Sequence, residues 1–156
     1  EGCGEGECGA CAVLLGEREG EAVTYRAVTS CLLAVGELPG RHLVTIEGLN
    51  PAQRLNPIQQ HLVDAGAPQC GFCFPGFVVS LTGYFLNSPD LARGDAIAAV
   101  DGNICRCTGY ASILRAVDAM RGRFVPTLDA RRDRVAQLVE WGILPDHFLG
   151  AAARLA

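Results

Sequence analysis

The chain opens EGCGEGECGAC, setting Cys3, Cys8 and Cys11 among the glycines Gly2, Gly4, Gly6 and Gly9. No other stretch constrains the fold so strongly. Glycine is entropically costly to order, and free thiols on a loop oxidise, so such a segment makes sense only if the sulfurs bind something. Five more cysteines, Cys31, Cys70, Cys73, Cys105 and Cys107, bring the total to eight. They divide into two sets of four. The first is C-x4-C-x2-C followed by Cys31. The second is C-x2-C, a long gap, then C-x-C.

Three chemistries compete for these thiols. Disulfides suit small secreted domains that lack a core. This chain has 49% hydrophobic and 19% charged residues, enough to bury a core without staples. Four-thiolate zinc sites use paired ligands and fit the second set. The spacing of the first set is that of plant-type [2Fe–2S] ligation. There, three thiolates come from one loop wrapping an anionic diiron core, and a fourth arrives from elsewhere. Glycines let such a loop curl until its N–H groups face sulfur, which stabilises charge and tunes the potential. The first set therefore reads as iron–sulfur. The second, by itself, stays open between zinc and iron–sulfur.

A net charge of −4 with no basic patch argues against nucleic acid as a partner. All 13 basic residues are arginine, which reads as compositional bias. Residues 65–89 carry no charge, but Pro75 and Pro89 bracket a run shorter than the ~20 residues a membrane span needs, so a buried helix is expected. The acidic, glycine-rich start has no signal-peptide character, and a cytoplasmic location is expected. The chain does not begin with Met, which reads as a fragment or as the loss of upstream sequence.

Ala12–Leu15, Ala22–Tyr25 and Leu43–Ile46 read as short strands, the first two joined by a Gly16–Gly20 turn. Residues 49–55 read as a polar connector. Asn56-Pro57 supplies an N-cap and a Pro at N1, with Ile58 and Leu62 on one face. Helices follow over Gly76–Leu86, over Leu91–Val100 with Gly102 as C′ residue, and over Tyr110–Met120 with Thr108 as N-cap. Cys70/Cys73 and Cys105/Cys107 precede helices whose N-termini offer free N–H groups to an anion. After residue 122, a helix over Ala130–Trp141, broken by Pro145, reads as a solvated linker or the lead-in to another domain. His42, His61 and His147 are isolated. Asp101 and Arg106 flank the second set, where a solvated role is expected.

The strings GCGEGECGAC with Cys31, QCGFCFPG and GNICRCTGY together resemble the iron–sulfur subunit of the molybdenum hydroxylases, the family of xanthine dehydrogenase, aldehyde oxidoreductase and carbon monoxide dehydrogenase. The resemblance covers about residues 1–122. It implies an α+β chain: a β-grasp, ferredoxin-like domain (1–48), truncated because the family carries an upstream hairpin and helix, then a four-helix [2Fe–2S]-binding bundle (49–122). Residues 123–156 would be a helical linker, similar to the connector that leads to an FAD domain. It also implies two [2Fe–2S] clusters, one on Cys3, Cys8, Cys11 and Cys31, the other on Cys70, Cys73, Cys105 and Cys107. By the same resemblance Gln69 hydrogen-bonds the pterin of a molybdenum cofactor and Cys107 is the ligand nearest it. For Gln69 the bland reading is a helix-entry side chain bonding the backbone. The implied function is relay of single electrons from molybdenum through two clusters to FAD, the partners being a molybdopterin-binding large subunit and an FAD-binding subunit or domain. No substrate-converting site is expected in this chain. The competing readings are a zinc-stabilised binding module and a non-functional fragment.

Overall fold

β1 (Ala12–Glu19) and β2 (Ala22–Thr29) form a hairpin longer than the sequence suggests. The pairing runs from Ala12↔Thr29 to Glu19↔Ala22, leaving Gly20 and Glu21 as a two-residue turn. Gly20 has φ +66°, the positive φ that such turns require at their first position. Gly16 is therefore not a turn residue. It lies inside β1, where a Cβ would come within 2.6 Å of the Tyr25 ring and a side chain has no room. β3 (His42–Val44) pairs with the other edge of β1, giving the antiparallel order β2-β1-β3. The computed structural model describes residues 1–50, 54–126 and 130–155, with residues 130–133 as backbone only.

α1 (Pro57–Asp64) begins with a full capping box. The Asn56 side chain accepts from Gln59 N–H, the Gln59 side chain accepts from Asn56 N–H, and Pro57 sits at N1. α2 (Phe74–Asn87) is buried continuously from Gly76 to Phe85, the pattern of a helix surrounded by protein rather than lying on it. It packs on β1 and β2 on one side and on α1 and α3 (Arg93–Val100) on the other. α4 (Ala111–Arg123) closes the group against α1 and α3. No described helix is long and apolar enough to cross a membrane.

Two helix starts differ from expectation. Leu91 adopts a left-handed φ of 54°, so α3 begins two residues later. Tyr110, at φ 66°, is itself the N-cap of α4, and Thr108 lies outside the helix.

The C-terminal segment is not solvated. In α5 (Ala130–Glu140) Leu138 is fully buried and Arg134 is 5% exposed; Ile143, Leu144 and Phe148 are buried beyond it. Arg134 donates to Phe85 O (2.9 Å) and Pro89 O (3.0 Å) at the C-terminal end of α2. α5 ends at Gly142 (φ +71°), where Ile143 N–H bonds Leu138 O and Gly142 N–H bonds Val139 O. This Schellman closure stops the helix ahead of Pro145. A four-residue helix, α6 (Ala151–Arg154), packs on β2. A single buried apolar cluster runs from Leu14, Tyr25 and Val44 through the helices to Leu138 and Phe148.

Candidate metal centres

The first cysteine loop turns on Gly4, Gly6 and Gly9, at φ +69°, +78° and +68°. In this conformation Glu5 N–H reaches Cys3 Sγ at 3.4 Å. With the amides of Cys8 and Glu7, it lowers the exposed Cys3 thiol to about 7. The fourth cysteine is delivered by the hairpin. Since Ala12 faces Thr29, Cys11 falls opposite Ser30, whose N–H and Oγ both donate to Cys11 O, at 3.2 and 2.8 Å. Cys31, the next residue, then meets Cys11 side chain to side chain. The gap between Cys11 and Cys31 is thus the length of one hairpin.

The second set joins two helix entries. Cys73 is the N-cap of α2, and Gly71 at φ +84° folds the preceding turn so that Phe74 N–H bonds Gly71 O. Cys105 and Cys107 come from the loop before α4. Cys107 Sγ lies 3.6 Å from Cys70 Sγ, while buried Cys73 and Cys105 bond each other. Burial above all lifts Cys73 to about 11. Burial also opposes ionisation of Cys105, yet hydrogen bonds led by the Thr108 hydroxyl bring it down to about 7. Cys70 is lowered chiefly by the Phe72 amide.

All eight predicted ligands therefore meet two by two: Cys3 with Cys8, Cys11 with Cys31, Cys70 with Cys107, and Cys73 with Cys105. Among the described residues no three His, Cys, Asp or Glu side chains are placed to hold one metal ion. Gln69 is exposed beside Cys70 and makes no hydrogen bond to another described residue, so it does not bond the backbone at the helix entry. Asp101 and Arg106 are exposed, as expected. The histidines lie elsewhere: His61 Nδ1 is 2.7 Å from Pro57 O, and His42 and His147 gather around Tyr25 and Phe148.

The two sets are fastened to each other. Ile104 N–H donates to Cys8 O at 3.0 Å, and buried Asn103 donates through Nδ2 to Gly9 O at 3.2 Å. Gly76 leaves room for this joint, since a Cβ on it would collide with Gly9 O. On the other side of the loop, a Cβ at Gly2 would sit 3.3 Å from the Phe72 ring. The parts that Asn103, Gly76 and Thr108 play around the cysteines are not legible in the sequence. The one available signal is their position inside the strings that carry the cysteines.

Residues 45–118 match a family described as [2Fe-2S] binding domain. The chain is 42% identical over 119 residues to a probable aldehyde oxidase of Caenorhabditis elegans, covering 74% of this chain and 9% of that protein. It is 40% identical over 120 residues to a xanthine dehydrogenase of Blastobotrys adeninivorans, covering 75% of this chain and 8% of that one. It thus spans under a tenth of these relatives' length. Among solved structures, quinoline 2-oxidoreductase from Pseudomonas putida 86 superposes with a TM-score of 0.66 at 30% identity, over 85% of this chain and 74% of that one. Aldehyde oxidoreductase from Desulfovibrio desulfuricans gives 0.63 at 28% identity, over 99% of this chain and 17% of the other. With its paired cysteines and these relatives, the chain belongs to the iron–sulfur component of the molybdenum hydroxylase family, that of the xanthine dehydrogenases and aldehyde oxidoreductases.

Proposed function

We propose that this chain relays electrons, one at a time, within a molybdenum hydroxylase, from a molybdenum cofactor on a larger partner towards FAD on another subunit or domain. Cys3, Cys8, Cys11 and Cys31 would hold one [2Fe–2S] cluster, and Cys70, Cys73, Cys105 and Cys107 a second. The donor set fits such a group. Each iron of a diiron core takes two thiolates, so thiols that meet in pairs suit it, whereas one zinc draws four thiolates to a single point at about 2.3 Å. When bound, the clusters supply one-electron storage. This chain's residues do the rest. Backbone N–H groups of Glu5, Phe72 and Thr108 face sulfur and offset its negative charge. Burial of Cys73 and Cys105 keeps water from one side of the second set.

The observation that carries the reading is the Ile104 N–H to Cys8 O hydrogen bond. Ile104 is covalently next to Cys105, so one hydrogen bond completes a path from a thiolate of the second set to one of the first. At the outer side of the second set, exposed Cys107 and unbonded Gln69 are available to contact the molybdopterin of the partner. In this reading the sheet belongs to a β-grasp domain over 1–48, the helices of 49–122 form a four-helix bundle, residues 123–156 lead towards an FAD domain, and the complex is cytoplasmic.

Iron and acid-labile sulfide analysis tests the assignment, with about four of each per chain expected for two such clusters. EPR of the reduced protein should resolve two signals. Colourless protein holding only zinc would sink the reading. In the assembled complex, Gln69→Ala should slow reduction of the clusters by substrate while leaving iron content unchanged.

A further inference from the structure

We propose that Thr108 is a positioning residue that raises the reduction potential of the second centre, by aiming its hydroxyl proton at the sulfur of Cys105. The inference rests on the reading that Cys105 ligates iron, and it concerns a side chain that the cysteine pattern does not account for. Thr108 Oγ1 lies 3.1 Å from Cys105 Sγ. The same oxygen accepts the N–H of Tyr110 at 3.0 Å. A metal-bound thiolate has no proton to give, so the hydroxyl must be the donor in the contact with sulfur. With Tyr110 N–H occupying a lone pair of that oxygen, the O–H is left to point at Cys105.

The surroundings hold this geometry. Gly109 and Tyr110 both take left-handed φ values, 60° and 66°, a conformation uncommon for a side chain as large as tyrosine. That bend brings the Tyr110 N–H back to Thr108. It also places the Tyr110 hydroxyl oxygen 3.0 Å from Cys105 N–H as acceptor, and the Tyr110 ring packs against Phe77 of α2. The amide of Thr108 adds a second donor to Cys105 Sγ at 3.5 Å. Local strain kept where the structure over-determines it is a mark of functional positions. Here it buys no helix cap, since α4 starts without a side-chain cap; what it positions is a donor to sulfur.

One-electron reduction adds a negative charge to the centre without making or breaking a bond. A donor on one of its sulfurs stabilises the reduced form more than the oxidised form and so raises the potential. Cys105 belongs to the buried pair, where an aimed dipole is least screened by water. Its neighbour Ile104 carries the hydrogen bond to Cys8 O, so the hydroxyl acts on the ligand that adjoins the path to the first set.

The experiment is an EPR-monitored redox titration of the purified protein carrying Thr108→Val, which matches threonine in shape and lacks the hydroxyl. The equilibrium constant for one-electron reduction of the second centre should fall about tenfold, or about 59 mV, with the first centre unmoved. Thr108→Ser should return it to the unmodified value. An unchanged potential in a Thr108→Val protein that keeps its iron and sulfide would overturn the proposal and leave the iron–sulfur reading standing. Absence of iron and sulfide from the unmodified protein would instead overturn that reading. Thr108→Ala, smaller than threonine, guards against a steric failure of valine. Loss of iron from both variants, with retention in serine, would make the role structural and also overturn the proposal.

Discussion

Gly76 and Gly9 mark where single atoms decide the site. The helix that carries Gly76 passes so close to Gly9 O that no side chain fits, and Gly9 is itself left-handed with Gly102 O 2.6 Å from where its Cβ would be. Gly76→Ala should therefore cost at least about 1–3 kcal/mol, the usual range for overpacking, because the obstructing atom is backbone and cannot rotate away. Denaturant midpoints read the loss. Iron retention tells whether the joint between the two cysteine sets has opened, and a neutral Gly76→Ala would refute the close approach. The eight ligands differ in their stakes as well. Cys105→Ser removes a buried member of its pair, so iron should leave the second centre while the first keeps its own, as metal analysis and EPR would report.

The elements carry the next level. The hairpin register sets Cys11 opposite Ser30, which is why the fourth thiol arrives two residues beyond β2. The segment after α4 is held at the end of α2 by a buried guanidinium bonded to two carbonyls. Arg134→Ala leaves both without that donor. A loss of about 2 kcal/mol is expected, within the range for hydrogen bonds from a charged group, together with a change in the emission of Trp141, which packs 5.2 Å from Phe124. Near α6, the Tyr25 hydroxyl lies 2.7 Å from His42 Nδ1. Burial first, then Arg154 and His147, hold His42 below its ordinary 6.5; burial and Arg154 do the same to His147. A histidine depressed in the folded state binds fewer protons than in the unfolded chain. Its stabilisation is present above pH 6.5 and is lost as pH falls below that value. Between pH 7 and 5.5 the denaturation midpoint should fall less in His42→Gln than in the unmodified protein.

At the scale of the whole molecule, the apolar cluster and the cysteine loops are held by different forces. The cluster contains only Cys73 and Cys105 among the eight thiols. The glycine-rich loop of residues 2–11 is held by a few hydrogen bonds, chiefly to Ser30, Asn103 and Ile104. Removing iron should therefore free the loop and spare the core. Hydrogen exchange would register this as lost protection at residues 3–11 with α2 still protected, and loss of protection throughout would refute the separation.

Much of this was legible in the chain. The grouping of the cysteines, the start of α1 at Asn56 and Pro57, and the buried character of α2 follow from spacing and residue type. The misreadings share a cause. Gly16 looked like a turn because a sequence does not reveal that Tyr25 will lie over it. Thr108 looked like a helix cap because its partner, Cys105 Sγ, becomes available only once the loop bends at Gly109 and Tyr110. The tail looked solvated because its arginines dominate the composition, whereas Arg134 finds two carbonyls in α2 and Leu138 finds the core.

The sequence by itself determined which atoms could bind metal and where the chain could turn, since thiolate chemistry and glycine backbone freedom are properties of single residues. The tertiary structure alone decided that the thiols meet in pairs, that the two sets touch through Cys8 and Ile104, and that the tail belongs to the core. Those are contacts between residues distant along the chain, and they arise only when packing brings their surfaces together.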